Sequence, residues 1–367
     1  MRVPFFRYGA MFAMYESEYR HAMDDVLGRG AFILQQENRD FEVELAAFVG
    51  APHAISVANG TDAIVMALRA AGVGPGDEVI LPSHTYIATA ASVHFVGATP
   101  VLVECGPDHL IDVEAAAASI TSRTRCLLPV QLNGRTSDMD AVMALAAKHD
   151  LVVVEDAAQA VGSRFKGRSA GTFGAAGTYS FYPAKVLGSF GDAGAVVTNA
   201  TEIADAVRLL GDHGRDADGE VVVWGLNSRL DNLHAAVLLV RLRHLETEIA
   251  RRREIARMYE AALAEIDELV LPPAPGAEPD HYDVYQNYEI EAVRRDELRE
   301  HLREHGVGTL IQWNGTPVHQ FKALGFEVDL PRTDELFRRC LLLPMNSMLT
   351  DDEVEIVIEE VRRFYRP

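Results

Sequence analysis

Lysine is scarce in this 367-residue chain, whose 34 cationic side chains include only Lys148, Lys166, Lys185 and Lys322 as lysines. A lysine amine condenses with an aldehyde only from a sheltered place where it can lose its proton. Lys185 has the best setting of the four. It closes the run Ser180-Phe181-Tyr182-Pro183-Ala184-Lys185, after a β-rich stretch and before the glycine-punctuated turn Gly188–Gly194. Lys148 sits at a helix end beside His149, Lys166 in a Lys-Gly-Arg turn, and Lys322 in the C-terminal third. An ordinary loop lysine is the competing reading of Lys185.

Three more features could act with it. Asp156 directly follows the strand Leu151–Glu155 with its apolar run Leu151-Val152-Val153-Val154, and a carboxylate ending a buried strand needs a partner. A pyridine nitrogen would serve, because the acid would keep it protonated and make the ring an electron sink. Capping the next helix is the alternative role for Asp156. The small residues Ala157 and Ala158 could lie beneath a flat ring, and Gln159 could reach a phenolic oxygen. Asn59-Gly60-Thr61-Asp62 joins a strand to a helix, where free amides and the Thr61 hydroxyl attract an anion, although a plain capped helix would look the same. Ser180 is placed to bond a phosphate. Tyr86, in Pro82-Ser83-His84-Thr85-Tyr86, could stack on an aromatic ring or simply pack in the core. Phosphate cradle, aromatic lid, acid and lysine, in that order, make a site for pyridoxal 5'-phosphate (PLP).

Ligands of an open α/β sheet gather at the carboxyl ends of its strands, so these features need such a sheet beneath them. From Phe41 to about Arg241 short β-rich runs alternate with helical patterns. The runs are Ala54–Ala58, Glu78–Pro82, Thr99–Glu104, Arg125–Val130, Leu151–Glu155, Gly177–Phe181 and Ala195–Thr198. Several are continuously apolar, as suits strands covered on both faces, and helices such as Met139–His149 lie between them. The expected fold is α/β: a mostly parallel seven-stranded sheet in a large domain, with a smaller C-terminal α+β domain. Residues 1–40 form an arm and helix, 41–245 the large domain, and 246–367 the small one. A long helix from about Asp231 to Ile266 links the two, and the charge of Ile249-Ala250-Arg251-Arg252-Arg253-Glu254 suggests a solvated face. Leu271-Pro272-Pro273-Ala274-Pro275-Gly276 reads as an exposed loop, Tyr285–Ala292 as a strand, and Arg295–His305 and Asp351–Phe364 as helices.

The formal charge of −20 argues against a nucleic-acid surface, which needs clustered cations. No basic head followed by an apolar run marks the N-terminus, and no apolar stretch is long enough for a bilayer, so a cytoplasmic location is expected. Cys105, Cys126 and Cys340 are odd in number and far apart, which fits buried thiols rather than a disulfide or zinc framework. His301-Leu302-Arg303-Glu304-His305 matches an inverted zinc-peptidase motif, but no third ligand is evident nearby and its surroundings read as a charged surface helix. No metal is expected.

The ordered motifs resemble the sugar-nucleotide aminotransferases of PLP fold type I, the DegT/StrS group, over nearly the whole chain. The stretches that carry the likeness are Asn59-Gly60-Thr61-Asp62-Ala63, Gly76-Asp77-Glu78-Val79-Ile80, Glu155-Asp156-Ala157-Ala158-Gln159-Ala160-Val161-Gly162, Ser180–Lys185 and Gly191-Asp192-Ala193-Gly194. The resemblance implies that Lys185 is the Schiff-base lysine and general base, Asp156 the partner of the pyridine nitrogen, and Gln159 the phenolic-oxygen contact. It matches Gly60, Thr61, Asp62 and Ser180 to the phosphate site and Tyr86 to the stacking aromatic. Asn227, in Gly225-Leu226-Asn227-Ser228-Arg229, matches an asparagine lent to the neighbouring subunit's phosphate site, which implies a homodimer with shared active sites. His319, Arg229 and Tyr182 are the substrate-contact candidates. Glutamate is the implied amino donor, and a dTDP-4-keto-6-deoxyhexose aminated at carbon 4 the implied acceptor, with carbon 3 close behind. A PLP-dependent sugar dehydratase and a non-catalytic PLP-binding regulator are the rival classes. The dehydratases of this scaffold replace the lysine with histidine. Two departures concern the sugar pocket more than the cofactor: His234 stands where the family often has Gln, and Gln312-Trp313-Asn314-Gly315-Thr316-Pro317-Val318-His319 lacks a His-Tyr-Pro run.

Overall fold

The computed structural model describes residues 1–366. Seven strands form the central sheet: β1 (His53–Val57), β2 (Glu78–Pro82), β3 (Thr99–Val103), β4 (Thr124–Leu127), β5 (Val152–Asp156), β6 (Ala176–Ser180) and β7 (Gly194–Thr198). Their spatial order is β1-β7-β6-β5-β4-β2-β3. Only β7 runs against the others, since it pairs antiparallel with both β1 and β6, and the remaining pairs are parallel. The expected sheet is therefore present, with its strands within two or three residues of their predicted limits. Parallel crossovers need helices, and these cover both faces.

Alternation along each strand sends neighbouring side chains to opposite faces. Ile55, Val57, Val154 and Val196 join the helices Gly60–Ala70, Ile87–Phe95 and Thr201–Gly211 in one core. On the other face, Ala54, Tyr179 and Val197 meet the helices Gln36–Val49 and Asn232–Leu263, while Ile80, Leu127 and Val153 meet Met139–His149. The sheet is thus buried on both sides. Consequently the chain's polar chemistry collects where the strands end.

The 32-residue helix Asn232–Leu263 belongs to both domains. Its first half packs on the sheet through Leu238, Leu242 and Leu245, and its second half sits in the small-domain core through Ile255, Tyr259 and Leu263. Arg252 and Arg253 are buried rather than on a solvated face. Arg252 donates to the carbonyls of Tyr285, Gln286 and Met345, and Arg253 to that of Asp283, so both guanidiniums brace the segment 283–286. That segment departs from the predicted strand as well. Tyr285 has φ +52°, a left-handed turn no strand accommodates, so pairing begins only at Tyr288–Ala292. The proline-rich loop from Leu271 is half-buried up to Pro275, where the Tyr285 hydroxyl donates to the Pro273 carbonyl at 2.7 Å.

Leu269–Val270, Tyr288–Ala292 and Cys340–Leu343 make the small domain's antiparallel sheet, backed by the helices Arg295–Glu304 and Asp351–Tyr365. The N-terminal arm is pinned to this domain: the Arg2 amide donates to the Gly306 carbonyl, and the Gly308 amide to that of Val3, both at 2.8 Å. The three cysteines are buried thiols, and burial pushes Cys105 and Cys126 up to about 12. Among the described residues no helix is long and apolar enough to cross a membrane.

Candidate active site

The carboxyl ends of β1, β2, β5 and β6 converge. After β1, Asn59 caps the helix Gly60–Ala70 by accepting from the Asp62 amide at 2.8 Å. Ser180, the last residue of β6, lies directly against that helix start. A Cβ added to Gly60 would come within 2.8 Å of the Ser180 Cβ, and one added to Gly194 within 2.5 Å of the Asn59 backbone. Glycine at these two places lets three chain segments close around one small pocket of amides and hydroxyls. Such a helix start holds an anion.

Asp156 ends β5, buried. Its Oδ2 accepts from the Thr89 hydroxyl at 2.7 Å and its Oδ1 from the Ala158 amide at 3.1 Å. Thr89 in turn lies 2.7 Å from the Thr85 hydroxyl, which ties the acid to the loop after β2. Burial raises the Asp156 carboxyl above its ordinary range, and Thr89, Ala158 and Lys185 offset only part of that. A buried acid of this kind accepts a further cationic hydrogen-bond donor.

Lys185 follows a tight turn in which its amide donates to the Tyr182 carbonyl at 2.8 Å. The residue is half-buried, and surrounding protein lowers its ammonium to about 8 against the opposing field of Asp156. Gln286 of the small domain straddles it, donating to the Ala184 carbonyl at 2.9 Å and accepting from the Val186 amide at 2.7 Å. His234 supports the same loop: its Nδ1 is 2.9 Å from the Ser189 hydroxyl, and its ring is where a Cβ on Gly191 would fall. The departure at this position is thus a packing and loop-holding contact.

Lys185, Gln159 and Tyr182 line one cleft of about 170 Å³ between the domains, with the arm residues Phe5, Phe6 and Tyr8 opposite. Gln159 accepts from the Asn133 amide at 2.8 Å. Tyr86 is 56% exposed at the start of its helix, 6.5 Å ring to ring from Trp313, so one face is open to a ligand. Anion cradle, buried acid, amide and partly neutral amine correspond to the phosphate, ring nitrogen, phenolic oxygen and aldehyde of PLP. The residues fit that cofactor.

Other candidates land elsewhere. His319 is buried and neither lines the cleft nor lies on the surface. Its Nδ1 is 2.8 Å from the Ser83 hydroxyl and its Nε2 2.9 Å from Asp334, so it braces the loop leading to Tyr86. Arg229 lies 3.2 Å from Asp212, on the segment that carries Asn227. The Asn227 side chain is exposed, beside a hairpin whose Val221, Val222 and Trp224 are exposed as well. The histidine motif does acquire a third neighbour that the sequence did not reveal, a carboxylate: Glu360 Oε2 is 3.3 Å from His301 Nε2. Arg363 already holds that carboxylate at 2.8 and 3.1 Å, so the group is an ion-pair cluster. A second cluster, His84, His109 and Glu289, has its carboxylate engaged by His109, Asn133 and Gln312.

Thr89, Asn133, Gln286 and the arm residues went unnoticed in the sequence. Only Thr89, one helical turn after Thr85 and facing the β5 end, carried a local signal.

Comparison with known proteins identifies the family. The chain is 42% identical over 369 residues to a dTDP-3-amino-3,4,6-trideoxy-alpha-D-glucose transaminase of Streptomyces venezuelae, covering 99% of this chain and 96% of the relative. It is 39% identical to a "pleiotropic regulatory protein" of Geobacillus stearothermophilus, covering 100% and 99% of the two chains. The crystal structure of S. venezuelae DesV in complex with a ketimine intermediate superposes with a TM-score of 0.96 at 42% identity, covering 100% of this chain and 99% of that one. A sequence profile of the DegT/DnrJ/EryC1/StrS aminotransferase family matches residues 14–362. With that match spanning nearly the whole chain, the chain belongs to the DegT/DnrJ/EryC1/StrS aminotransferase family and is a PLP-dependent aminotransferase.

Proposed function

We propose that this enzyme transfers an amino group from glutamate to a dTDP-linked keto-hexose, with Lys185 as its base, in a homodimer whose sites draw on both chains. The observation that carries the reading is a low-pKa lysine on the wall of an interdomain cleft, in the field of a buried acid. The name of the 42% identical transaminase favours carbon 3 as the aminated position, whereas the sequence motifs alone ranked carbon 4 first.

PLP supplies the electron sink that makes the donor's α-proton transferable. The protein does the rest. Gly60, Thr61, Asp62 and Ser180 grip the phosphate, joined by Asn227 of a second copy. Asp156 holds positive charge on the ring nitrogen, and its link to Thr89 fixes the direction of that contact. Gln159 directs its NH₂ at the phenolic oxygen, and Tyr86 covers the ring. The Lys185 Nζ, neutral in part near neutral pH, would be the group that accepts and returns the donor's proton. Tyr182 and the arm residues are the substrate-side groups of this cleft, and the arm narrows it against water. The proposed domain division at residue 245 falls within the long helix, near the change of core between Ile249 and Ile255.

Glutamate added to the holoenzyme should convert the cofactor to its amino form and release 2-oxoglutarate. Lys185→Ala should lose that conversion and all turnover. Normal turnover in the variant refutes the assignment. A panel of dTDP-, UDP- and GDP-keto-sugars, with the aminated carbon fixed by NMR, then decides nucleotide and position. The likeness to a regulatory protein supports one second reading, a PLP-binding regulator, in which the glutamate half-reaction would fail.

A further inference from the structure

Gln159 is a half-buried amide whose two ends are told apart by one contact. Its oxygen accepts from the Asn133 backbone N–H at 2.8 Å, and only an oxygen can do that. The Nε2 is therefore the end left for the cleft, and it has no protein partner among the described residues. What fixes Gln159 is thus whatever fixes the amide of residue 133.

That amide belongs to a residue in the left-handed region, φ +56° and ψ +12°, which asparagine tolerates better than most side chains. Its side chain is held entirely by the small domain. Oδ1 accepts from Asn287 and from Gln312, both at 2.9 Å, and Nδ2 donates to Glu289 at 2.7 Å. Glu289 is itself a buried hub. It accepts from His109 at 3.0 Å and from Gln312 at 2.9 Å, and His84 Nε2 lies 3.6 Å away. Glu291 faces the other nitrogen of His109 at 3.4 Å, and Arg339 lies 3.5 Å from Glu291. Burial opposes charge on His109, but its bonds to the two glutamates win and raise it to about 9. Burial likewise opposes charge on Glu289, and His84 and His109 hold it well below the usual carboxylate range. The hub is therefore a standing carboxylate with no slack in its partners.

We propose that Asn133 is a positioning residue that carries the placement of the small domain to Gln159, so that the Gln159 amide meets the cofactor's phenolic oxygen only when the two domains are docked. This rests on the site reading above. A donor at that oxygen draws electron density from it and loosens the proton shared with the neighbouring nitrogen. Removing the donor makes that proton harder to lose.

The test is the pH titration of the bound cofactor's absorbance in the holoenzyme, which a purely structural role for Asn133 would not move. Gln159→Ala should raise the midpoint by about one pH unit. Asn133→Gly keeps the left-handed backbone accessible and removes only the tie to the small domain. It should raise the midpoint in the same direction by about half as much or more, and add nothing in the Gln159→Ala background. A wild-type midpoint in Asn133→Gly, or a rise that adds fully to that of Gln159→Ala, overturns the proposal while leaving the site reading standing. An unmoved midpoint in Gln159→Ala removes the phenolic-oxygen contact and this proposal together. Asn133→Ala, strained in the left-handed region, should shift at least as far as the glycine variant.

Discussion

Lys185 would be about 300-fold poorer in neutral amine if it kept the ordinary lysine value of 10.5 rather than about 8, since the gap of roughly 2.5 units is a factor of 10 per unit. Burial disfavours the ammonium, and the nearby Asp156 carboxylate restores only part of it. The sign is therefore clear: the amine that attacks an aldehyde becomes available as pH rises through about 8. Rates of PLP capture by the apoenzyme, followed in a stopped-flow instrument, should climb between pH 6 and about 8 and level off above it. A climb continuing past pH 10 would mean an unperturbed lysine and no sheltered site. This residue was legible because lysine is rare here and its flanking run is distinctive. Asp156 was legible for a related reason, an acid at the end of a strand that opens with four apolar residues. Asn133 and Gln286 were not, because each acts through a hydrogen bond to a residue far away in the chain, and such pairing leaves no local pattern. His319 could not be placed from sequence, because a histidine two residues after a proline reads the same whether its ring faces a substrate or Ser83 and Asp334.

The strands and helices of the large domain could be read almost residue by residue, since burial on both faces forces apolar runs and the turns between them are punctuated by glycine and proline. The small domain was harder. Its segment 283–286 looks β-like, yet a left-handed Tyr285 and two buried arginines shape it into a clamp on the Lys185 loop. Periodicity cannot report a guanidinium bound to backbone carbonyls, so charge density was read as solvent exposure. At the anion cradle the element itself is the binding device, because the helix Gly60–Ala70 begins where Ser180 ends its strand. Gly60→Ala would put a methyl 2.8 Å from the Ser180 Cβ and push the two segments apart. PLP affinity, measured by fluorescence titration of the apoprotein, should fall about tenfold, or about 1.4 kcal/mol. Unchanged affinity would remove the cradle from the cofactor site.

For the molecule as a whole, the proposed homodimer would use Asn227 and the hairpin beside it. Asn227 is exposed, and the adjoining hairpin offers Val221, Val222 and a Trp224 that is 91% exposed, an apolar group that one chain alone leaves in water. A two-fold pair would cover each hairpin and deliver each asparagine to the other chain's phosphate cradle. Complementation separates this arrangement from a site complete within one chain. Chains carrying Lys185→Ala keep Asn227, and chains carrying Asn227→Ala keep Lys185. Mixed after dissociation, half of the dimers would be hybrids, each with one intact site and one doubly damaged site, so about a quarter of wild-type activity should return at limiting PLP. If Asn227 served the lysine of its own chain, each hybrid would hold one site without the amine and one without the amide, and mixing would restore nothing.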